Sequence, residues 1–263
     1  MPRPSLLKSM AALAIGVLTN SLASAEEPAK TAPPLYELRT YHAEPGKLDA
    51  LNARFREHTV ALFTKHGMTN VGYWVPKDNP DNLLIYLLSF PDRTARDKAW
   101  KEFGADPEWK AAQEASEVNG KLVGKIESRF LTPTDFSPEP KGTTKGTPHV
   151  FELRTYTATP GNLPLLLKRF RDHTRDLFVR HGMTNFLYTT PAAGEPGADN
   201  TLVYLLQHAS AEAQEKSFTA FRADPEWVQV KAESEKAGGG SLTVVPDGVK
   251  SVLLIPTDYS PVK

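Results

Sequence analysis

The 263-residue chain contains no cysteine. That excludes disulfides, thiolate metal sites, cysteine nucleophiles and a lipid-modified cysteine anchor. It has no surplus of charge either, with 31 Lys+Arg against 31 Asp+Glu. A balanced chain offers no electrostatic reason to expect a nucleic-acid or anionic-membrane partner. No apolar run approaches the roughly 20 residues that a membrane-spanning helix needs. Signature motifs are missing too. There is no G-x-G-x-x-G or G-x-x-x-x-G-K-[ST], which removes the common nucleotide-binding fingerprints. There is no G-x-S-x-G elbow. Without an H-E-x-x-H pair or a carboxylate loop, no metal site and no cofactor are expected.

What is present begins with an export address. Arg3 and Lys8 precede an apolar run, Met10–Leu18, and Ala23-Ser24-Ala25 is a small-residue cleavage site. Residues 1–25 therefore read as a signal peptide cut after Ala25, too short to stay as a membrane anchor. The expected location is periplasmic or secreted. That compartment permits disulfides, yet none can form, so stability rests on packing.

The remainder is one unit written twice. Tyr36-Glu-Leu-Arg-Thr-Tyr41 returns as Phe151-Glu-Leu-Arg-Thr-Tyr156, and Arg54-Phe-Arg-Glu-His-Thr59 as Arg169-Phe-Arg-Asp-His-Thr174. His66-Gly-Met-Thr-Asn70 returns as His181-Gly-Met-Thr-Asn185. The copies are 115 residues apart through Pro76/Pro191, and 118 apart after a short insertion near Ala193–Ala198. Asp106-Pro-Glu-Trp109 then matches Asp224-Pro-Glu-Trp227, and Pro133-Thr-Asp-Phe-Ser-Pro138 matches Pro256-Thr-Asp-Tyr-Ser-Pro261. Each copy is domain-sized rather than solenoid-sized. The expected domains are 34–138 and 149–261, joined by the Gly/Pro/Thr/Lys-rich linker 139–148.

Within each unit the hydrophobic period alternates. Leu35–Tyr41 is a strand, and Leu48, Leu51, Phe55 and Leu62 mark a helix over 47–66. Gly67 suits the left-handed position past that helix. Val71–Val75 and Leu83–Phe90 are strands, and Thr94–Phe103 is helical. Asp106-Pro107 starts a further helix as N-cap and first residue, and Ser128–Leu131 is a last strand. The fold class is α+β: two tandem βαββαβ units, each a four-stranded antiparallel sheet with helices on one face. The bare face of each sheet needs cover. The other copy supplies it, giving a pseudo-two-fold barrel and a pseudo-dimer within one chain, with assembly into a homo-oligomer left open.

These motifs, taken in order, resemble the NIPSNAP family. The resemblance covers both copies and implies a dimeric α/β-barrel, ferredoxin-like fold. Eukaryotic members are linked to mitochondria, vesicle traffic and mitophagy signalling as binding proteins. Neighbouring barrel families include cofactor-free monooxygenases, small isomerases and haem-handling enzymes. The tandem layout departs from the single-copy pattern, so the usual partner contact is expected to be internal.

Candidate chemistry sits on the first strand of each unit. Alternation puts Glu37, Arg39 and Tyr41 on one face, with Glu152, Arg154 and Tyr156 their counterparts. Leu38 fits the helix-covered face, so this set is expected to point between the sheets. There it would form either a polar pocket for a small anionic or aromatic compound or a set of interface ion pairs. His58 and His173 fall on the apolar helical stripe, as core side chains or as general bases. His66 and His181 suit the cation position at a helix end. Two readings follow. One is a non-catalytic module that binds a small molecule or a protein partner. The other is a cofactor-independent monooxygenase or isomerase working in the inter-sheet cavity. No acid–base pair stands out, which favours the module.

Overall fold

A computed structural model describes residues 1–2, 32–141 and 149–263. The chain divides into units of residues 1–31 and 32–263. Apart from Met1 and Pro2, the expected signal peptide lies outside the described residues, as does 142–148 of the expected linker.

The first repeat runs β1 (Leu35–Ala43), α1 (Leu48–Arg54), a π-helical turn (Phe55–Thr59), α2 (Val60–Lys65), β2 (Thr69–Pro76), β3 (Leu83–Phe90), α3 (Arg93–Ala105), α4 (Pro107–Ser116) and β4 (Val123–Pro133). The second repeats that order as β5 (Val150–Thr157), α5 (Leu163–Arg169), a π-helical turn (Phe170–Thr174), α6 (Arg175–Arg180), β6 (Thr184–Pro191), β7 (Thr201–His208), α7 (Ala211–Ala223), α8 (Pro225–Ala237) and β8 (Val249–Pro256). Local signals account for several boundaries. Gly67 and Gly182 take positive φ (+77° and +80°) just beyond α2 and α6, where a side chain would be strained. Asp106 caps α4 through the Glu108 N–H at 2.8 Å, with Pro107 as its first residue. Asp92 caps α3 through the Ala95 N–H at 2.7 Å.

The eight antiparallel strands close into a barrel in the order β1-β3-β2-β8-β5-β7-β6-β4. Each repeat contributes one four-stranded sheet. The two sheets join where β2 pairs β8 (Trp74 to Pro256, Pro76 to Leu254) and β4 pairs β6 (Leu131 to Pro191, Pro133 to Thr189). Strand β4 is longer than the expected Ser128–Leu131. Most of its residues are exposed, and only its last turnings meet the neighbouring repeat. An exposed strand carries no apolar alternation for a sequence reading to detect.

Away from β4 and the start of β8, each sheet is buried on both faces, against different partners. Inside the barrel, Tyr36, Leu38, Trp74, Ile85 and Leu87 meet Phe151, Phe186, Leu187, Val203 and Leu205 in one shared core. Outside, α1, α2 and α3 cover Tyr41, Tyr73, Tyr86 and Leu88 with Leu51, Phe55, Phe63 and Phe103. The second repeat has the matching layer of Leu166, Phe170, Phe178 and Phe221 over Tyr188 and Tyr204. The expectation for β1 is therefore reversed. Leu38 points into the barrel, and Glu37, Arg39 and Tyr41 lie under the helices; Glu152, Arg154 and Tyr156 do likewise. Alternation separates two faces, but when both are buried it does not say which face meets which partner. The space between the sheets is filled by large side chains, with the Trp74 and Phe151 rings 5.4 Å apart and Phe151 and Phe186 5.2 Å apart.

The repeats also exchange arms. The segment after β8 crosses to the first repeat. Its Thr257 N–H donates to the Tyr73 carbonyl at 2.9 Å, and the Ser260 hydroxyl accepts from the Tyr73 N–H at 3.0 Å. Tyr259 packs on Phe55 at 6.3 Å, and Asp258 takes two hydrogen bonds from Arg56 at 2.6 and 2.7 Å. The segment after β4 mirrors this. Thr134 N–H donates to the Tyr188 carbonyl at 2.9 Å, Ser137 Oγ accepts from the Tyr188 N–H at 2.9 Å, and Phe136 packs on Tyr188 at 5.6 Å. Arg171 binds Asp135 at 2.7 and 2.8 Å. The recurring Thr-Asp-Phe/Tyr-Ser-Pro segment is thus a clasp that each repeat closes on the other.

Candidate functional site

Each repeat holds one pocket between its sheet and its helices. Its floor is the first-strand triad. In the first repeat, Arg39 donates from Nε to the Tyr86 hydroxyl at 2.8 Å, from Nη1 to Glu37 at 2.6 Å and from Nη2 to the Tyr41 hydroxyl at 3.3 Å. In the second, Arg154 donates to the Tyr204 hydroxyl at 2.9 Å, to Glu152 and to the Tyr156 hydroxyl at 3.0 Å. The structure therefore brings Glu37, Arg39 and Tyr41 together, and Glu152, Arg154 and Tyr156 together.

The two glutamates are fully buried and act as hubs. Glu37 also accepts from Arg96 at 2.7 and 2.8 Å, from the Trp100 indole at 2.9 Å and from Ser128 at 2.7 Å. Burial pushes its carboxyl upward, but the hydrogen bonds from Arg96 and the nearby Arg39 charge outweigh this and hold it at about 2. Glu152 accepts instead from His208 at 3.1 Å, from Gln214 at 3.1 Å and from Ser251. Its carboxyl is also lowered, with burial opposed chiefly by the His208 bond and the Arg154 charge. A carboxylate so fully committed is a structural tie, and it sets Arg39 and Arg154 in place.

The candidate histidines are not in these pockets. His58 is exposed and His173 half-buried. The cause is the π-turn at Phe55–Thr59 and Phe170–Thr174, which holds one extra residue per turn. The side chain that follows Phe55 on the buried face is Thr59, four residues on, instead of His58, three on. Thr59 Oγ1 closes the wide turn by donating to the Arg54 carbonyl at 3.2 Å, and Thr174 does the same to Arg169 at 3.1 Å. His66 and His181 sit at their helix C-caps as expected, and each also meets an N-cap aspartate: Asp106 of α4 at 2.6 Å and Asp224 of α8 at 2.8 Å.

The residues that sequence reading missed are the walls. The first pocket, about 450 Å³, is lined by Arg39, Tyr41, Arg54, Phe55, Trp100, Phe103, Trp109 and Glu117 among others. The second, about 370 Å³, is lined by the counterparts Arg154, Tyr156, Arg169, Phe170, Phe218, Phe221, Trp227 and Glu235, with Arg222 and Lys231. Both volumes are of small-ligand size. Arg54 and Arg169 end α1 and α5, are 5% and 6% exposed, and lie over the Trp109 and Trp227 rings at 5.1 and 5.2 Å. One signal pointed to them: an arginine at the same place on an apolar stripe in both copies, where a cation is seldom buried without a task.

Among the described residues no helix is long and apolar enough to cross a membrane, and no group of three or more His, Cys, Asp and Glu is arranged to hold a metal.

The NIPSNAP family model matches residues 36–138 and 151–261. No curated protein matches the chain. Among solved structures, a candidate monooxygenase from Fusobacterium nucleatum has the same fold, at TM-score 0.57 and 11% identity over 86% of this chain and 94% of that one. Another from Lactobacillus acidophilus gives TM-score 0.53 and 10% identity over 85% and 94%. A NIPSNAP family protein from Agrobacterium tumefaciens is 27% identical over 40% of this chain and 97% of that one, with TM-score 0.36. Both copies of the repeated unit fall within the matched segments, and the chain belongs to the NIPSNAP family.

Proposed function

We propose that this protein is a non-catalytic small-molecule binding module with one ligand pocket per repeat, lying between helices and sheet. The observation that carries this reading is the buried arginine at the end of α1 and of α5. In each repeat it is held on a tryptophan face at the wall of a cavity that six aromatic side chains help to line. Aromatic walls take up a flat apolar body, and a buried guanidinium orients a polar end. Each triad tyrosine bonds its own arginine, His58 and His173 lie outside both pockets, and the carboxylates in the walls, Glu117 and Glu235, lie beside Arg54 and Lys231. The N-terminal basic–apolar–small pattern supports export, with the released chain starting at Glu26.

Native mass spectrometry of the exported protein tests both parts. A mass beginning at Glu26 with a co-purifying small molecule is the expected result. A ligand-free chain that shows no thermal shift across a panel of aromatic acids, amides and alcohols would defeat the binding reading. The fold shared with candidate monooxygenases favours a second reading, a cofactor-independent oxygenase. Oxygen consumption dependent on a panel compound would replace the first reading with this one.

A further inference from the structure

The two pockets are built from matching positions yet differ in charge at three of them: Gln113/Lys231, Gly104/Arg222 and, in the opposite sense, Lys121/Gly239. In the first repeat Arg54 Nη1 donates to Glu117 at 3.0 Å and to Ser116 at 3.2 Å, so the buried cation is neutralised from within. The counterparts of Glu117 and Ser116 are Glu235 and Ser234. Arg169 keeps only the serine, with Nη1 3.2 Å from Ser234 Oγ. No carboxylate among the described residues comes within ion-pair distance of it; the buried Nε is without a partner in both Arg54 and Arg169, so the difference lies in the carboxylate alone.

The missing carboxylate has been drawn aside. Glu235 lies 3.9 Å from Lys231, and the position of Lys231 in the first repeat is Gln113, which offers no charge. The second substitution puts Arg222 where the first repeat has Gly104, and both Arg222 and Lys231 line the pocket. A cation 6% exposed, without a close counter-charge, in a cavity of about 370 Å³ with Phe218, Phe221 and Trp227 in its walls, is a receptor for an anion. Burial also pushes the Arg169 guanidinium downward, and the more distant Glu235 only partly opposes this.

We propose that the second-repeat pocket binds one small carboxylate with a flat aromatic body, its carboxylate on the Arg169 guanidinium, while Glu117 closes the first-repeat pocket to anions. This rests on the reading of the chain as a small-molecule binding module and adds the ligand class and the stoichiometry. The guanidinium offers a planar fork that matches a carboxylate, and the aromatic walls match the ring.

The test is isothermal titration of the full chain with indole-3-acetate and phenylacetate, each beside its neutral amide. The expected result is one site per chain and a preference for acid over amide of about tenfold or more. Arg169→Gln removes that preference. Lys231→Gln, an exposed change that leaves the fold intact, frees Glu235 to pair with Arg169 and weakens acid binding by a similar factor. Glu117→Gln unmasks Arg54 and raises the stoichiometry to two. Equal binding of acid and amide, or two acid sites in the unmodified chain, overturns the carboxylate assignment and leaves the binding module standing. Binding of neither acid nor amide at millimolar concentration defeats both.

Discussion

The two repeats place a buried glutamate at the same point of their first strand and surround it differently. Glu37 is held by Arg39 and Arg96, with Trp100 and Ser128 completing the shell. Glu152 keeps Arg154 and the matching Ser251, but Gln214 stands where Arg96 was, and His208 stands where Phe90 was. The carboxylate is the fixed element, because its first-strand arginine needs a counter-charge in a low-dielectric layer. The rest of the shell drifted as long as the acceptor oxygens stayed occupied. The same divergence around a constant centre reappears in the walls of the pockets, where Arg54 pairs with its glutamate and Arg169 has no close contact with its own.

Replacing the hubs probes this contrast with the largest expected effect. Glu37→Gln leaves the buried Arg39 without its charge partner and strips the half-buried Arg96 of its bonds to Glu37, so it should cost about 3–5 kcal/mol in urea denaturation. Glu152→Gln releases a single arginine and should cost less; equal losses would mean that the Arg96 bonds contribute nothing. The Glu37 carboxyl is lowered in the folded chain, so its contribution is complete above the ordinary glutamate value of about 4.3 and is lost as pH falls through about 2. The stability gap between the parent and Glu37→Gln should therefore narrow across that interval.

The clasps come next. Phe136 is 6% exposed and inserted in the second repeat, so Phe136→Ala should cost about 3 kcal/mol or more. Tyr259, its half-buried counterpart in the first repeat, should cost less when cut to alanine. Thermal denaturation of both variants checks the ranking, and a reversed order would show that the two clasps are not equivalent.

Inside the barrel the repeats fill one volume in two ways. The first has Gly72 beneath the Trp74 ring, where a Cβ would overlap the indole. The second has Leu187 and Thr189 at those positions. Thr189 donates to the Val203 carbonyl at 2.8 Å, whereas the Trp74 indole N–H is buried without a partner. Gly72→Leu and Trp74→Thr should each destabilise alone and recover together, with a coupling of about 1–3 kcal/mol in a double-mutant cycle. Additive losses would show that the exchange is not compensatory. The smallest effect is expected at the exposed Arg56–Asp258 pair, where solvent screens the charges and Arg56→Ala should leave the thermal midpoint almost unchanged.

Much of the architecture was legible because it is written in short-range chemistry. The Asp-Pro helix starts, the glycines past α2 and α6, and the doubled motifs each depend on a few neighbouring residues. The site was legible only in part. Glu37, Arg39 and Tyr41 were recognised as a group from their spacing, since strand alternation forces them onto one side. Their placement was not, because Leu38 meets an apolar partner on whichever face it lies. His58 was misplaced because a π-turn has the composition of an α-helix and differs from it only by a one-residue shift in which side chains face inward.

By itself, then, the sequence determined the duplication, the order of strands and helices, and the need for each sheet to be covered twice, since periodicity and capping act over a few residues. The tertiary structure alone decided which face took the helices, which segment clasped which repeat, and which buried arginine was left without a close carboxylate. Those outcomes depend on distances of a few ångströms between side chains far apart in the chain. At that range Glu235, 3.9 Å from Lys231, stands apart from the arginine that its counterpart Glu117 pairs with at 3.0 Å.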